Sequence, residues 1–99
     1  GDVVTTAEEV EAFKIVKAIV AGTISAKRVA MRDAKSYCSV LIDDNNRKPL
    51  CRLRLDSATK KYLGVFDGDK NEVKFPIASV EDIYEHAEVL RESARQYAE

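Results

Sequence analysis

The sequence has few of the residue types from which most catalytic and metal centres are built. It contains one histidine, His86, two cysteines, Cys38 and Cys51, and no tryptophan. The cysteines do not form the closely spaced pair typical of zinc ligands, and the sequence has neither a glycine-rich phosphate loop nor a serine nucleophile elbow. We therefore expect no catalytic residue, no cofactor and no metal ion. We also expect two free thiols, which are typical of a reducing compartment.

Membrane-spanning and leader segments are also missing from the sequence. No apolar run approaches the ~18 residues that a membrane span requires, and there is no charged-then-apolar leader. We therefore expect a cytoplasmic protein with no membrane partner. The length of 99 residues suits one domain, and Gly1 is typical of a cleavage scar, so residues 1–99 are predicted to be a single domain excised from a longer protein.

Charge is nearly balanced overall but unevenly distributed along the chain. The net charge is −1, yet residues 27–74 hold 12 Lys and Arg against 7 Asp and Glu, while both flanking segments are acidic. A basic middle segment is compatible with a nucleic-acid-binding face, although solvated strands also carry Lys and Arg that protect sheet edges.

Hydrophobic periodicity predicts an α+β fold. Thr6 and Glu9 form a capping box ahead of apolar residues at helical spacing, and Gly22 is the expected left-handed residue after this first helix. Ser79 and Asp82 are predicted to cap the last helix. Between the helices we predict a five-stranded antiparallel meander, with both helices packed on one face. Its predicted strands span residues 28–32, 37–42, 49–55, 61–66 and 72–77.

The turn between the second and third strands determines which side chains share a face. A two-residue type I′ turn centred on Asn45 and Asn46 places Cys38 opposite Leu53 and Val40 opposite Cys51. Because side chains alternate along a strand, the sheet then has a core face and an outer face. The predicted core face comprises Cys38, Val40, Ile42, Cys51, Leu53, Leu55, Leu63, Val65, Val73 and Phe75, and the outer face has an apolar end formed by Leu41, Leu50, Tyr62 and Phe66.

The outer face is the first candidate functional site, because this register groups arginine and tyrosine side chains on it. Arginine binds phosphate bidentately, and aromatic rings stack on bases at about 1–3 kcal/mol per base. The alternative is ordinary cross-strand packing, in which each arginine stacks on a tyrosine. The predicted arrangement has Arg32, Tyr37, Arg54 and Tyr62 in one row, Arg52 and Ser39 in the next row, and Arg28 and Lys35 nearby.

The turn at residues 43–48 is the second candidate site. It presents Arg47 and Lys48 beside carboxylates and amides at an exposed tip, where recognition residues often lie. The alternative is turn chemistry alone, since Asp and Asn are common turn residues.

Two further patterns resemble known sites but are better explained by structure. Residues 67–71 resemble the start of a calcium loop, but glycine is missing at the sixth position, so a hairpin is predicted. Asp56 with Glu72 and Lys74 resembles the acidic pattern of metal-dependent nucleases, but nothing predicts a pocket around them.

Five segments of the chain resemble one protein family. They are TTAEEVEAFKIVKAI (5–19), RDAKSY (32–37), LIDDNNRKPLCRL (41–53), KKYLGVFD (60–67) and PIASVEDIYEHAEVL (76–90). Together they resemble the carboxy-terminal module of prokaryotic predicted endonucleases, whose front half is similar to the nuclease domain of type I restriction enzyme R subunits. The segment at 41–53 is the most specific of the five. The family carries an aromatic residue where Cys38 stands, which suggests altered core packing here.

The resemblance implies a non-catalytic accessory domain, because the family's nuclease motif belongs to the front half and has no match in this chain. DNA and the nuclease domain of the same polypeptide are the implied partners. The alternative is a docking or dimerisation module, and a standalone hydrolase is the third hypothesis. The residues that match the family and take a supporting role are Arg32, Tyr37, Asp43, Asp44, Asn45, Asn46, Arg47, Lys48 and Arg52. The complete set of candidate DNA-contacting residues is Arg28, Arg32, Lys35, Tyr37, Arg47, Lys48, Arg52, Arg54 and Tyr62.

Overall fold

The computed structural model describes residues 5–98 and has the predicted α+β architecture. Five strands pair in chain order into one antiparallel sheet. Gly1, on which the excised-domain hypothesis is based, lies outside the described residues. The elements are α1 (Ala7–Val20), a short 3-10 helix (Ala26–Arg28), β1 (Val29–Asp33), β2 (Cys38–Ile42), β3 (Pro49–Arg54), β4 (Lys61–Phe66), β5 (Glu72–Ile77), a longer 3-10 helix (Val80–His86) and α2 (Ala87–Arg95).

The predicted ends of the first helix are confirmed. The backbone N–H of Glu9 donates to Thr6 Oγ1 at 3.0 Å, and the Thr6 N–H donates back to Glu9 Oε1 at 2.9 Å. Gly22 has a φ of +91° just after α1, a conformation that glycine adopts without steric cost. At the start of the last helical region, Asp82 accepts a hydrogen bond from the Ser79 N–H, as predicted. The region begins as a 3-10 helix, however, and becomes α-helical only at Ala87.

The helical layer covers the predicted core face of the sheet. The core-face residues of β2, β3 and β4 are all buried, which confirms the alternation predicted for these strands. The prediction is wrong for Val73, which is 43% exposed. Because β5 is an edge strand and α2 packs mainly over β3 and β4, α2 covers this end of β5 only in part.

The turn between β2 and β3 differs from the predicted one. The left-handed residues are Asp43 and Asp44, at φ +58° and +53°, rather than Asn45 and Asn46. The predicted pairs from Cys38 to Val40 are present, but Leu41 then pairs with Pro49, so Leu50 is the extra residue of a β-bulge. The bulge places Leu50 in the core, and Leu41 is also buried, so neither contributes to an apolar end of the outer face.

The register between β1 and β2 also differs from the prediction. The Ala34 N–H donates to the Tyr37 carbonyl, which leaves only Lys35 and Ser36 in the turn. This tighter turn pairs Arg32 with Ser39 instead of placing it beside Tyr37.

Candidate nucleic-acid interface

The sheet face opposite the helices carries a line of cations that crosses all five strands. Cross-strand pairing places Arg32 beside Ser39, Ser39 beside Arg52, Arg52 beside Gly64, and Gly64 beside Lys74. We call these five residues the cation row and this side of the sheet the open face. The three cations stand on alternate strands, so their backbones are roughly 9–10 Å apart. The residues between them have short side chains or none.

A single carboxylate organises the middle of the open face. Glu72 accepts two hydrogen bonds of 2.7 Å from Arg54, one from Nε and one from Nη2, and a longer one of 3.3 Å from Arg52 Nη1. Its side chain is only 12% exposed. Gly64 makes room for it, because a Cβ atom at that position would overlap the Glu72 carboxylate.

Aromatic rings complete the packing around the two arginines. The Arg52 guanidinium lies 4.7 Å from the centre of the Tyr37 ring and 5.2 Å from that of Phe66. The Arg54 guanidinium lies 5.1 Å from the same tyrosine ring. Tyr62 is half-buried and pairs directly with Arg54 across the strands. The cross-strand arginine–tyrosine packing considered for this face is therefore present, and it fixes the guanidinium planes.

The open face keeps a positive charge despite this packing. The hydrogen bonds from Arg54 hold the pKa of Glu72 below its ordinary value, against the opposing effect of partial burial, and they raise the pKa of Arg54. Glu72 is therefore ionised at neutral pH and balances one of its two arginines. Lys74 adds a further charge and has no ion-pair partner among residues 5–98.

The end of the cation row at β1 is tied to the loop at residues 43–48. Arg32 donates from Nη2 to Asp44 Oδ1 at 2.8 Å and from Nη1 to Asn46 Oδ1 at 3.1 Å. Its side chain remains 48% exposed. The loop thus folds back toward β1 and holds this arginine at the rim of the open face.

A second ion-pair cluster lies where this loop meets the start of β1. Arg28 donates to both carboxylate oxygens of Asp43 at 2.8 Å, and Lys48 Nζ donates to Oδ2 at 3.1 Å. These bonds, with those from Arg28 the stronger influence, hold the pKa of Asp43 well below its ordinary range. Arg28 also donates to the Tyr97 carbonyl oxygen at 3.0 Å, which joins this cluster to the end of the chain.

The structure brings together some of the predicted site residues and separates others. Tyr37, Arg52, Arg54 and Tyr62 form one contiguous group, and Arg32 lies on the same face in the row of Arg52, separated from it by Ser39. Lys35 is exposed in the turn after β1, and Arg47 is exposed in the 43–48 loop. The predicted residues that belong to the separate Asp43 cluster are Arg28 and Lys48.

The predicted site did not include three residues of the open face, Glu72, Gly64 and Lys74. Glu72 and Lys74 were considered only as part of a nuclease-like pattern. The signal was available for two of them, because assigning Val73 and Phe75 to the core face places Glu72 and Lys74 on the opposite one. The role of Gly64 depends on where the Glu72 carboxylate lies, which no local pattern encodes.

The other sequence patterns have structural explanations. Asp67 Oδ1 accepts 2.9 Å hydrogen bonds from the backbone N–H groups of Asp69 and Asn71, so the calcium-like segment is the predicted hairpin. His86 packs on Phe75 with ring centres 4.7 Å apart. Cys38 and Cys51 are both buried free thiols, as predicted.

Comparison of the chain with protein-family models, with curated proteins and with solved structures gives no match. The likeness to restriction-type endonucleases therefore rests on the five sequence segments alone. Within residues 5–98, no helix combines the length and the apolar character needed to cross a membrane.

Proposed function

We propose that this chain is a non-catalytic accessory domain of a restriction-type endonuclease, and that its open face contacts the phosphate backbone of DNA. The observation that supports this most directly is the cation row. Arg32, Arg52 and Lys74 lie in line across the sheet, with only Ser39 and Gly64 between them. A nucleic-acid backbone laid along this row would meet three positive groups. The carboxylate that lies between them, that of Glu72 over Gly64, is only 12% exposed and is bound by Arg54 and Arg52.

The contacts proposed are to phosphate rather than to bases. Tyr37 has Arg52 and Arg54 against its ring, so this ring already supports the two arginines. Phosphate contacts fix the position and orientation of a protein on DNA but carry no sequence information. The domain would therefore hold DNA for a nuclease domain in the same polypeptide, which the resemblance to restriction-type enzymes implies as its partner.

The test is the affinity for several unrelated duplexes, measured by fluorescence anisotropy at low salt. Lys74→Ala removes a row cation that holds no carboxylate, so it should weaken binding about equally for every sequence. Lys14→Ala is the matched control, because Lys14 is an exposed lysine on α1, in the layer that covers the other side of the sheet. If Lys74→Ala and Lys14→Ala bind alike, the row does not contact DNA.

A second candidate function is docking of another protein surface at the edge of the sheet. Val73 is 43% exposed and borders a small apolar cleft of about 100 Å³ with Phe75 and Val89. This replaces the predicted apolar end of the outer face, where Leu41 and Leu50 are buried. Sedimentation equilibrium should detect a dimer that Val73→Asp abolishes if the docked surface is a second copy. A concentration-independent monomer would exclude that form of docking.

A further inference from the structure

Three ionisable side chains from three elements converge on the helix-covered side of the sheet. Glu9 comes from the first turn of α1, Asp33 ends β1 and Cys38 begins β2. Asp33 and Cys38 are direct cross-strand partners, so their side chains lie on the same face. One carboxylate oxygen of each acid and the Sγ atom of Cys38 all lie within 4.8 Å of one another.

Two of the three residues are buried, Asp33 is half-buried, and the cluster is incompletely satisfied. Glu9 is 3% exposed and Cys38 is fully buried. The Oδ2 atom of Asp33 is buried and accepts no hydrogen bond from any residue in the described range 5–98. Within the same range, neither carboxylate has a Lys, Arg or His ion-pair partner, and Glu9 receives hydrogen bonds only from Thr6.

Burying these two carboxylates destabilises the folded state unless a cation lies between them. A buried carboxylate oxygen without a donor loses its hydration and gains nothing in return, and two neighbouring carboxylates repel each other when both are ionised. A divalent cation would give the orphaned Asp33 oxygen a partner and offset the repulsion between the two carboxylates.

We propose that Glu9, Asp33 and Cys38 form a binding site for a single zinc ion or a chemically similar divalent transition-metal ion. Thiolate and carboxylate are both ligands of zinc, whereas magnesium and calcium prefer oxygen ligands alone. Metal–ligand bonds of about 2.0–2.3 Å require the three ligand atoms to move slightly closer together, which side-chain rotation can supply. A solvent molecule would occupy the fourth position.

Binding changes the state of the cysteine. Burial, with the nearby carboxylates of Glu9 and Asp33 adding to it, raises the pKa of the Cys38 thiol to about 12, so the thiol is protonated in the metal-free protein. On coordination the S–H bond breaks, the sulfur electron pair binds the metal and the proton passes to solvent. The bound ion would then join the start of α1 to the β1–β2 hairpin.

Zinc and cobalt binding by the full chain tests this site. Zinc affinity and stoichiometry are measured by competition with a chromogenic chelator, and cobalt is added as a spectroscopic probe that absorbs in the near ultraviolet when a thiolate binds it. Cys38→Ala and Asp33→Asn each remove a ligand. Cys51→Ala is the matched control, since Cys51 is equally buried but belongs to β3 and is not among the three clustered groups.

The expected result is one zinc ion per chain in the native protein and in Cys51→Ala, with affinity reduced roughly 100-fold or more in Cys38→Ala and Asp33→Asn. The cobalt–thiolate absorption should disappear in Cys38→Ala and remain in Cys51→Ala. Circular dichroism checks that each variant is folded. If Cys38→Ala does not fold, the zinc affinity of Asp33→Asn decides whether the cluster binds the metal. Absence of zinc binding by the native chain, or binding that both ligand variants retain, would overturn the proposal.

Discussion

Replacing Glu72 by glutamine should destabilise the protein far more than removing a carboxylate elsewhere on its surface. The carboxylate accepts two 2.7 Å hydrogen bonds from Arg54 and a weaker one from Arg52 while it is only 12% exposed. Hydrogen bonds to charged groups contribute about 1.5–3 kcal/mol when buried, and the partial exposure of both arginines favours the lower end. We expect a loss of about 2 kcal/mol in the free energy of unfolding.

For a domain of this length, a loss of about 2 kcal/mol lowers the melting temperature by roughly 8–16 °C. Urea denaturation at pH 7 and thermal melts measure both quantities. Glu85→Gln is the control, because Glu85 is exposed and has no ion-pair partner within residues 5–98. A double-mutant cycle with Arg54→Gln isolates the coupling between the two side chains.

The difference in unfolding free energy between the native protein and Glu72→Gln should also depend on pH. Arg54 lowers the pKa of folded Glu72 below the ordinary value of 4.5, so the ionised pair stabilises the folded state above that pH. This contribution is lost as the pH falls from about 4.5 through the lower pKa of the folded state, and the gap between native protein and Glu72→Gln should narrow there. Equal stability losses for Glu72→Gln and Glu85→Gln at pH 7, or no coupling to Arg54, would refute the reasoning.

Further predictions concern the residues around this carboxylate and the core. Gly64→Ala should displace Glu72 from Arg54 and lower the free energy of unfolding by about 1–3 kcal/mol. The same substitution should cost less in the Glu72→Gln background, and urea denaturation of the four proteins measures both losses. Leu50→Ala should cost about 2–5 kcal/mol because the bulge buries Leu50, whereas Val73→Ala should cost under about 1 kcal/mol; similar losses would contradict the bulge.

The fold followed from the sequence wherever the signal is local and periodic. Alternation along β2, β3 and β4 identified the buried face, and the Thr6–Glu9 capping box identified the start of α1. These predictions succeeded because burial of one face and satisfaction of helix-end N–H groups act over a few residues.

The errors arose where distant residues determine local conformation. Asp43 adopts a left-handed conformation in a turn where Arg28 and Lys48 bind its carboxylate, and Arg28 is remote in the chain. Asparagine preference alone pointed to the next two positions instead. The β-bulge at Leu50 likewise alters which side chain faces the core. Pro49 stands directly before it, but a proline at the first position of a strand fits a regular strand equally well.

The sequence identified the sheet face that carries the candidate site, but not the contacts that hold its side chains in place. Alternation grouped Tyr37, Arg52 and Arg54 correctly, whereas the ion pairs that fix them depend on Glu72 from β5 and on the missing side chain of Gly64 in β4. Contacts among side chains from three strands can be predicted only if the strand register is known. The register depends on turn lengths, which the sequence did not specify uniquely.

The salt dependence of DNA binding tests the central claim most directly. Each phosphate contact contributes about 0.9 to the slope of log Kobs against log salt concentration for duplex DNA. Arg32→Ala combined with Lys74→Ala removes both ends of the cation row and leaves the arginines that hold Glu72 in place, so the slope should become shallower by roughly 2 units relative to the native chain. An unchanged slope, or no binding by the native chain at low salt, would contradict phosphate contact by the open face.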